Sequence, residues 1–334
     1  MKATQIVLAS RPKGLPTADI FRFEEIELPN LKDGEVLIHP LYISVDPYMR
    51  GRMNDIESYD APFELNTPIQ GRVVGRVEES KSSQLKVGDT VLSTLPWATK
   101  SVQVGTHLSK IDTTGVPPSY YMGILGMPGL TAYFGLLDIG KPKAGETVVI
   151  SGAAGAVGIV AGQIAKIKGC RVVGLAGSDE KVNMLKGEFG FDEVINYKTA
   201  GRNLFDLIQA ACPNKIDVYF DNVGAEITEM VMMNINFKAR IVICGQIALY
   251  NTPQLTRGLR FLLMVLTRSA LIQGFIVGDY KDRFPEGTQQ LTTWVKEGKL
   301  HFKETVIKGF DKLPEAFLGL FSGQNIGKML VEVE

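Results

Sequence analysis

Residues 146–158, Glu-Thr-Val-Val-Ile-Ser-Gly-Ala-Ala-Gly-Ala-Val-Gly, pass from a short apolar run straight into a glycine cluster and then into a helical pattern. Small residues at such a turn let a backbone approach a pyrophosphate, and the N–H groups opening the next helix form an anion site. The fit to the G-x-G-x-x-G fingerprint is imperfect. Ala153 takes the first glycine position, while Gly155 and Gly158 keep the other two, with Ala156 and Val157 between them. Context strengthens the reading: Val157, Val160, Ala161, Ile164, Ala165 and Ile167 mark one helical face, Gly169 ends it, and Arg171-Val-Val-Gly-Leu175 follows as a second strand. The alternative is a glycine-rich crossover in a domain that binds nothing; the flanking strand and helix favour a dinucleotide.

Adenine-ribose selectivity is set near the end of the second strand, where an acid receives the 2′-hydroxyl of NAD. Here that end reads Gly174-Leu-Ala-Gly-Ser178, with no carboxylate before Asp179. A 2′-phosphate meets no immediate anionic clash, and Lys181 supplies a compact counter-charge. This favours NADPH. The competing reading makes Asp179 an NAD selector and Lys181 a solvated helix residue.

The elements that must position these groups follow from the wider pattern. A chain of 334 residues, 45% hydrophobic, exceeds one comfortable core, so two domains are expected. Before residue 125, short extended segments punctuated by glycine and proline (35–39, 71–77, 89–93 and 97–104) predict a barrel-like β domain. Beyond it, apolar strands at 193–196, 216–221, 239–244 and 271–277 alternate with helix-length segments, which predicts an α/β doubly wound parallel sheet. A helix over 288–297 and a last strand at 328–333 follow, the strand expected to return to the first domain. The partition read from sequence is therefore 1–124, 125–298 and 299–334, arranged around a cofactor cleft.

Composition narrows the partners. Lysine plus arginine, 36, equals aspartate plus glutamate, 36, so no global basic bias toward nucleic acid or acidic membranes exists, and a small neutral substrate fits better. The apolar region 259–278 is interrupted by Arg260, Arg268 and Gln273 and falls short of the roughly 20 uninterrupted apolar residues of a membrane span. Residues 259–266 are read instead as a core helix, with a subunit contact as the weaker alternative. The apolar part of the first ten residues is too short for a secretory signal. Cys170, Cys212 and Cys244 lie far apart, as expected of reduced, buried thiols in a cytoplasmic protein. His39, His107 and His301 show no paired ligand spacing, so no metal is expected.

Six segments together resemble the medium-chain dehydrogenase/reductase superfamily over essentially the whole chain: Val45-Asp-Pro-Tyr-Met-Arg-Gly51, Met127-Pro-Gly-Leu-Thr-Ala-Tyr133, Ala153-Ala-Gly-Ala-Val-Gly158, Ala176-Gly-Ser-Asp-Glu-Lys181, Phe220-Asp-Asn-Val-Gly224 and Asn325-Ile-Gly-Lys328. Within it the chain looks like the zinc-independent branch of prostaglandin, alkenal double-bond and curcumin reductases. The resemblance implies a GroES-like β-barrel with a Rossmann domain, and a homodimer. Where zinc-dependent relatives carry Gly-His-Glu, this chain reads Gln70-Gly-Arg-Val-Val-Gly75, so those ligands are missing.

Without zinc, alcohol oxidation loses its strongest polarising group. Reduction of a conjugated double bond demands less: hydride attacks the β-carbon of an enone, and one or two donors stabilise the enolate. The resemblance implies Tyr250 as that donor, and its place after the strand ending near Cys244 is the ligand-binding edge of a doubly wound sheet. It also implies Tyr48, Arg50 and Met127 as substrate-lining residues, with a structural ion pair equally open for Arg50. Implied cofactor contacts are Pro128, Thr131, Gly155, Ala156, Val157, Gly158, Ser178, Lys181, Tyr197, Asn222, Cys244, Gly245, Phe275, Ile276, Val277 and Asn325. The segment Gln246-Ile-Ala-Leu249 departs from the common family pattern. The function expected is NADPH-dependent reduction of α,β-unsaturated aldehydes or ketones; a quinone reductase and a non-catalytic NADPH-binding protein are the alternatives.

Overall fold

The computed structural model describes residues 1–252, 254 and 256–333. The chain forms two compact units, Met1–Met122 with Glu304–Glu334, and Gly123–Lys303.

The second unit is built on six parallel strands, β1 (Thr147–Ser151), β2 (Arg171–Ala176), β3 (Glu193–Asn196), β4 (Ile216–Asp221), β5 (Ile235–Ile243) and β6 (Leu271–Gly274). Their order is β3-β2-β1-β4-β5-β6. This is the doubly wound order with a topological switch point between β1 and β4, where the carboxyl ends of the strands open a ligand crevice. Both faces are covered, which explains the unbroken apolar runs. Val149, Val173, Tyr219 and Ile241 face a cluster with Ile208 and Val231 from helices Leu204–Ala211 and Ala225–Met232. On the alternate positions, Val218 and Val242 meet Gly140, and Phe220 meets Gly135.

The first unit carries a barrel-like sheet in the strand order Glu304–Lys308, Lys328–Glu332, Glu35–Ser44, Gln70–Ser80, Thr90–Pro96 and Ser109–Lys110, with Ser101–Val104 also pairing to Glu35–Ser44; every pair is antiparallel except Glu304–Lys308 with Lys328–Glu332, which run parallel. Its last strand, Lys328–Glu332, pairs antiparallel with Glu35–Ser44. The returning tail is thus part of this sheet. Trp97 is fully buried, stacked on Phe21 and edge-on to Phe317. A Cβ at Gly71 would stand 2.7 Å from the Trp97 indole nitrogen, and one at Gly75 would stand 2.6 Å from Ile38 Cγ2. The glycines of the segment at 70–75 are therefore packing residues.

The sequence expectation fails at one helix. The apolar segment near residue 262 forms helix Leu262–Thr267, but it is no core helix: Leu262, Leu263 and Leu266 are 71%, 60% and 77% exposed. Periodicity cannot say whether an apolar face meets its own chain or something else.

Candidate active site

The glycine turn joins β1 to helix α1 (Ala156–Ile167). Its left-handed residue is Gly152, at φ +58°, so position 153 needs no glycine, and the Ala153 methyl instead packs at Gly174. Gly155 is the N-cap, and no side chain caps the helix. Ala156, Val157 and Gly158 form its first turn, whose N–H groups lack intrahelical acceptors and face the end of the helix dipole that attracts anions. A Cβ at Gly158 would lie 2.8 Å from Ala153 Cα, so glycine there sets the close approach of helix to turn. The cradle suits a phosphate group.

At the end of β2, Ser178 is the N-cap of helix α2 (Asp179–Gly187), its hydroxyl accepting from the Lys181 N–H at 3.3 Å. Lys181 lies below its ordinary range because it is buried and because the Lys198 charge stands near it. Tyr197 opens the short helix after β3, and its hydroxyl and Lys198 Cε both crowd the space beside Gly177. Ser178, Lys181, Tyr197 and Lys198 therefore converge. Asp179 accepts a hydrogen bond from Asn196 Nδ2 at 2.7 Å, which ties down the acid that could act as an NAD selector.

Tyr250 stands on the loop after β5, held by a buried carboxylate. Asp221 ends β4 with no solvent exposure. Its Oδ1 accepts from Ser151 Oγ, Tyr219 Oη and the N–H groups of Val223 and Gly224, all at 2.8–3.0 Å. Its Oδ2 accepts from Thr228 Oγ1 at 2.6 Å and Gln246 Nε2 at 2.9 Å. Cys244 and Gly245 donate their N–H groups to the Asp221 carbonyl, and the Gln246 N–H donates to Tyr250 Oη at 3.4 Å. Burial, with smaller contributions from Cys244 and Asp221, raises the Tyr250 phenol above its ordinary range. It stays protonated and available as a donor. The Cys244 thiol is pushed up to about 12 by burial and the Asp221 charge, which makes it a poor nucleophile. Asn222 lies at the same edge, its Nδ2 donating to Ser151 O at 2.7 Å.

The remaining positions in this unit are dispersed. Met127, Pro128 and Thr131 belong to helix Met127–Phe134, which packs against α1, and the Thr131 hydroxyl donates to Met127 O at 2.7 Å. Phe275, Ile276 and Val277 follow β6; the Phe275 ring fills the space at Gly135 and meets Tyr280 edge-on, which leaves its backbone rather than its ring for a ligand.

Tyr48, Arg50 and Asn325 belong to the other unit. Arg50 does not line a substrate surface: it is 3% exposed, donating to Gly14 O at 2.8 Å and Asn54 Oδ1 at 2.7 Å. It anchors the 12–14 loop. Asn325 Nδ2 donates to Gly327 O at 2.9 Å and shapes the turn into the last strand. Tyr48 is half-buried, and burial with the Asp46 charge pushes its phenol far up.

Residues 4–111 match the N-terminal domain of oxidoreductases, and residues 156–293 match the zinc-binding dehydrogenase domain. The chain is 55% identical to a Bacillus subtilis protein named as an NADP-dependent oxidoreductase, covering 98% of this chain and 97% of that one. It is 41% identical to the 2-alkenal reductase of Nicotiana tabacum, covering 98% and 97%. The crystal structure of CurA from Vibrio vulnificus in complex with NADPH superimposes with a TM-score of 0.94 at 41% identity over 99% of both chains. The chain belongs to the zinc-independent medium-chain dehydrogenase/reductases. Residues 70–75 of this reductase offer no histidine or acid, and among the described residues no group of three or more histidines, cysteines or acids is placed to hold a metal.

Two residues of this reductase escape sequence reasoning. Lys198 carries no motif and is brought to Lys181 only by the pairing of β3 with β2. Asp221 is visible in Phe220-Asp-Asn-Val-Gly224, but its part as the acceptor of six hydrogen bonds is not. A buried aspartate between an apolar strand and a glycine is the signal that could have found it.

Proposed function

We propose that this chain is an NADPH-dependent reductase of the carbon-carbon double bond of α,β-unsaturated aldehydes or ketones. The observation that carries the reading is the Tyr250 hydroxyl, kept protonated and fixed at the carboxyl edge of the parallel sheet by the Asp221–Gln246 network. The Gly152–Gly158 turn takes the pyrophosphate, and Ser178, Lys181, Tyr197 and Lys198 take the 2′-phosphate. Asn222, Gly245 and the backbone of 275–277 complete the cofactor side. The bound nicotinamide supplies the hydride for the substrate β-carbon. Tyr250 donates a hydrogen bond to the carbonyl oxygen as negative charge develops there, which lowers the barrier because the donor is already oriented. Met127 is assigned to the substrate wall.

The decisive experiment is a screen of NADPH oxidation across alkenals, cyclic enones, dienones and quinones with product identification. The expected product is the saturated aldehyde or ketone. Allylic alcohol, quinol alone, or cofactor binding without any turnover would each overturn the proposal.

We further propose a cytoplasmic homodimer. The three free cysteines, each with its thiol raised by burial, support a reducing compartment. Support for a second copy comes from β6, the end strand of its sheet, flanked by the exposed apolar face of helix Leu262–Thr267.

A further inference from the structure

We infer that Phe275, Gly135 and Tyr280 are positioning residues for the nicotinamide half of the cofactor, forming an aromatic lock that fixes the end of β6 to the helix Met127–Phe134. The inference rests on the NADPH reading above and names what holds the reacting end. All of these groups belong to the unit Gly123–Lys303. The strand order β3-β2-β1-β4-β5-β6 sets the direction of the dinucleotide. On that reading the 2′-phosphate goes to Ser178, Lys181 and Lys198 beyond β2 and β3, and the pyrophosphate to the turn after β1. The other end then lies over the carboxyl ends of β4, β5 and β6, where the chain presents Asn222, Gly245 and Phe275 in turn.

β6 is the end strand of its sheet, and its pairing with β5 stops at Gly274, opposite Ile243. Phe275 is the next residue, so its side-chain packing does what the ladder no longer does. The ring reaches the point where helix Met127–Phe134 passes into the π turn Gly135–Gly140. A Cβ at Gly135 would stand 2.5 Å from Phe275 Cζ and 2.9 Å from Cε1, so only glycine admits the ring there. The Gly135 backbone is right-handed helical, at φ −58° and ψ −45°. No turn therefore requires glycine, and helix propensity disfavours it. The ring is the reason for it.

Tyr280 closes the lock from the other side. Its ring meets Phe275 edge-on at 6.3 Å and stacks on Phe134 at 4.7 Å, with 15° between the planes. Phe134 is fully buried, and Arg283 lies over its ring at 5.0 Å while pairing with Asp138 and Glu286. The segment after β6 is thus gripped at 275, 280 and 283 by the single stretch 134–138. Such aromatic pairs add stacking to the area they bury. The spacing between the 275–277 backbone and the helix bearing Met127 is fixed before any ligand arrives, which spares the cost of ordering it on binding.

The test measures, by calorimetry, binding of NADP⁺ and of 2′,5′-ADP, which carries the adenosine end alone, to the wild type, Gly135→Ala, Phe275→Leu and the double variant. Thermal melting confirms that each folds. Each single variant is expected to weaken NADP⁺ about tenfold, as for a surface that must be ordered on binding, and to leave 2′,5′-ADP within about twofold. In the double variant the smaller side chain makes room for the new methyl, so NADP⁺ affinity should recover toward the wild type. Equal losses for both ligands, or an NADP⁺ affinity unchanged in either single variant, overturn the lock. A double variant showing the summed loss also overturns it, since the methyl at 135 then acts through Phe220 Cε2, 3.0 Å away, rather than through Phe275. Should Gly135→Ala fail to fold, Tyr280→Leu reads the same lock: a loss confined to NADP⁺ supports it, and an unchanged affinity overturns it. No acceptor enters the measurement, so the outcome is independent of whether an enone or a quinone is reduced. A wild type that binds neither ligand overturns the NADPH reading, and the lock with it.

Discussion

At the scale of single residues, three side chains carry most of the chemistry proposed for this reductase. Tyr250 acts through a proton it must keep, and its burial ensures that it keeps it. Tyr250→Phe removes the donor while preserving the ring, and one lost oxyanion donor costs roughly 3 kcal/mol, so a fall in the single-turnover rate of about a hundredfold is expected. An unchanged rate with chemistry limiting would remove Tyr250 from catalysis. Lys181 and Lys198 are predicted to act together, two neighbouring positive charges at the place where a 2′-phosphate would bind. Lys181→Ala and Lys198→Ala should each raise the KM for NADPH about tenfold, with a much smaller change for NADH. Equal shifts for both cofactors would reduce the lysines to general surface charge.

At the scale of elements, the loop bearing Tyr250 is held by a side chain of its own. Gln246 reaches back to Asp221 while its backbone N–H meets the tyrosine, and Gly224 gives the amide room, since a Cβ there would stand 2.7 Å from Gln246 Cδ. Gln246→Leu leaves an Asp221 oxygen short of one donor at a cost of about 1–3 kcal/mol. A lower melting temperature and a lower kcat with little change in the NADPH KM are expected; an unaltered kcat would mean that the loop is ordered without the latch. The strand Glu304–Lys308 offers a pH test. Burial raises the Glu304 carboxyl above its ordinary range, outweighing the Ser119 hydrogen bond and the Lys328 charge, and its Oε1 has no partner. A folded-state pKa above the unfolded one stabilises the fold at low pH, and that contribution is lost as pH rises through the raised value. Glu304→Gln should therefore raise the melting temperature at neutral pH and flatten its decline between acid and neutral pH. A parallel displacement at every pH would contradict this.

At the scale of the whole molecule, what was legible in the sequence was what depends on local order. The strand-turn-helix at 146–167, the alternation of strands and helices, and the segments resembling the reductase family each reside in contiguous residues, so periodicity and motif reach them. Lys198 beside Lys181 and the hub at Asp221 depend on which strands become neighbours, and no window of sequence contains that. The helix Leu262–Thr267 illustrates the boundary. Its apolar pattern reads as core, yet Leu262, Leu263 and Leu266 stand in solvent beside β6, whose outer edge has no strand partner among the described residues. A second copy related by a two-fold axis brings the same helix and the same edge to its partner, so one self-complementary patch would cover both. Edge-to-edge pairing satisfies the open backbone groups while the leucines leave water. Leu262→Asp with Leu266→Asp places two charges in that patch from each copy. Analytical ultracentrifugation should then show the wild type as a dimer and the double variant as a monomer with unchanged far-ultraviolet circular dichroism. A wild type that sediments as a monomer at micromolar concentration, or a double variant that remains dimeric, would place the contact elsewhere or remove it.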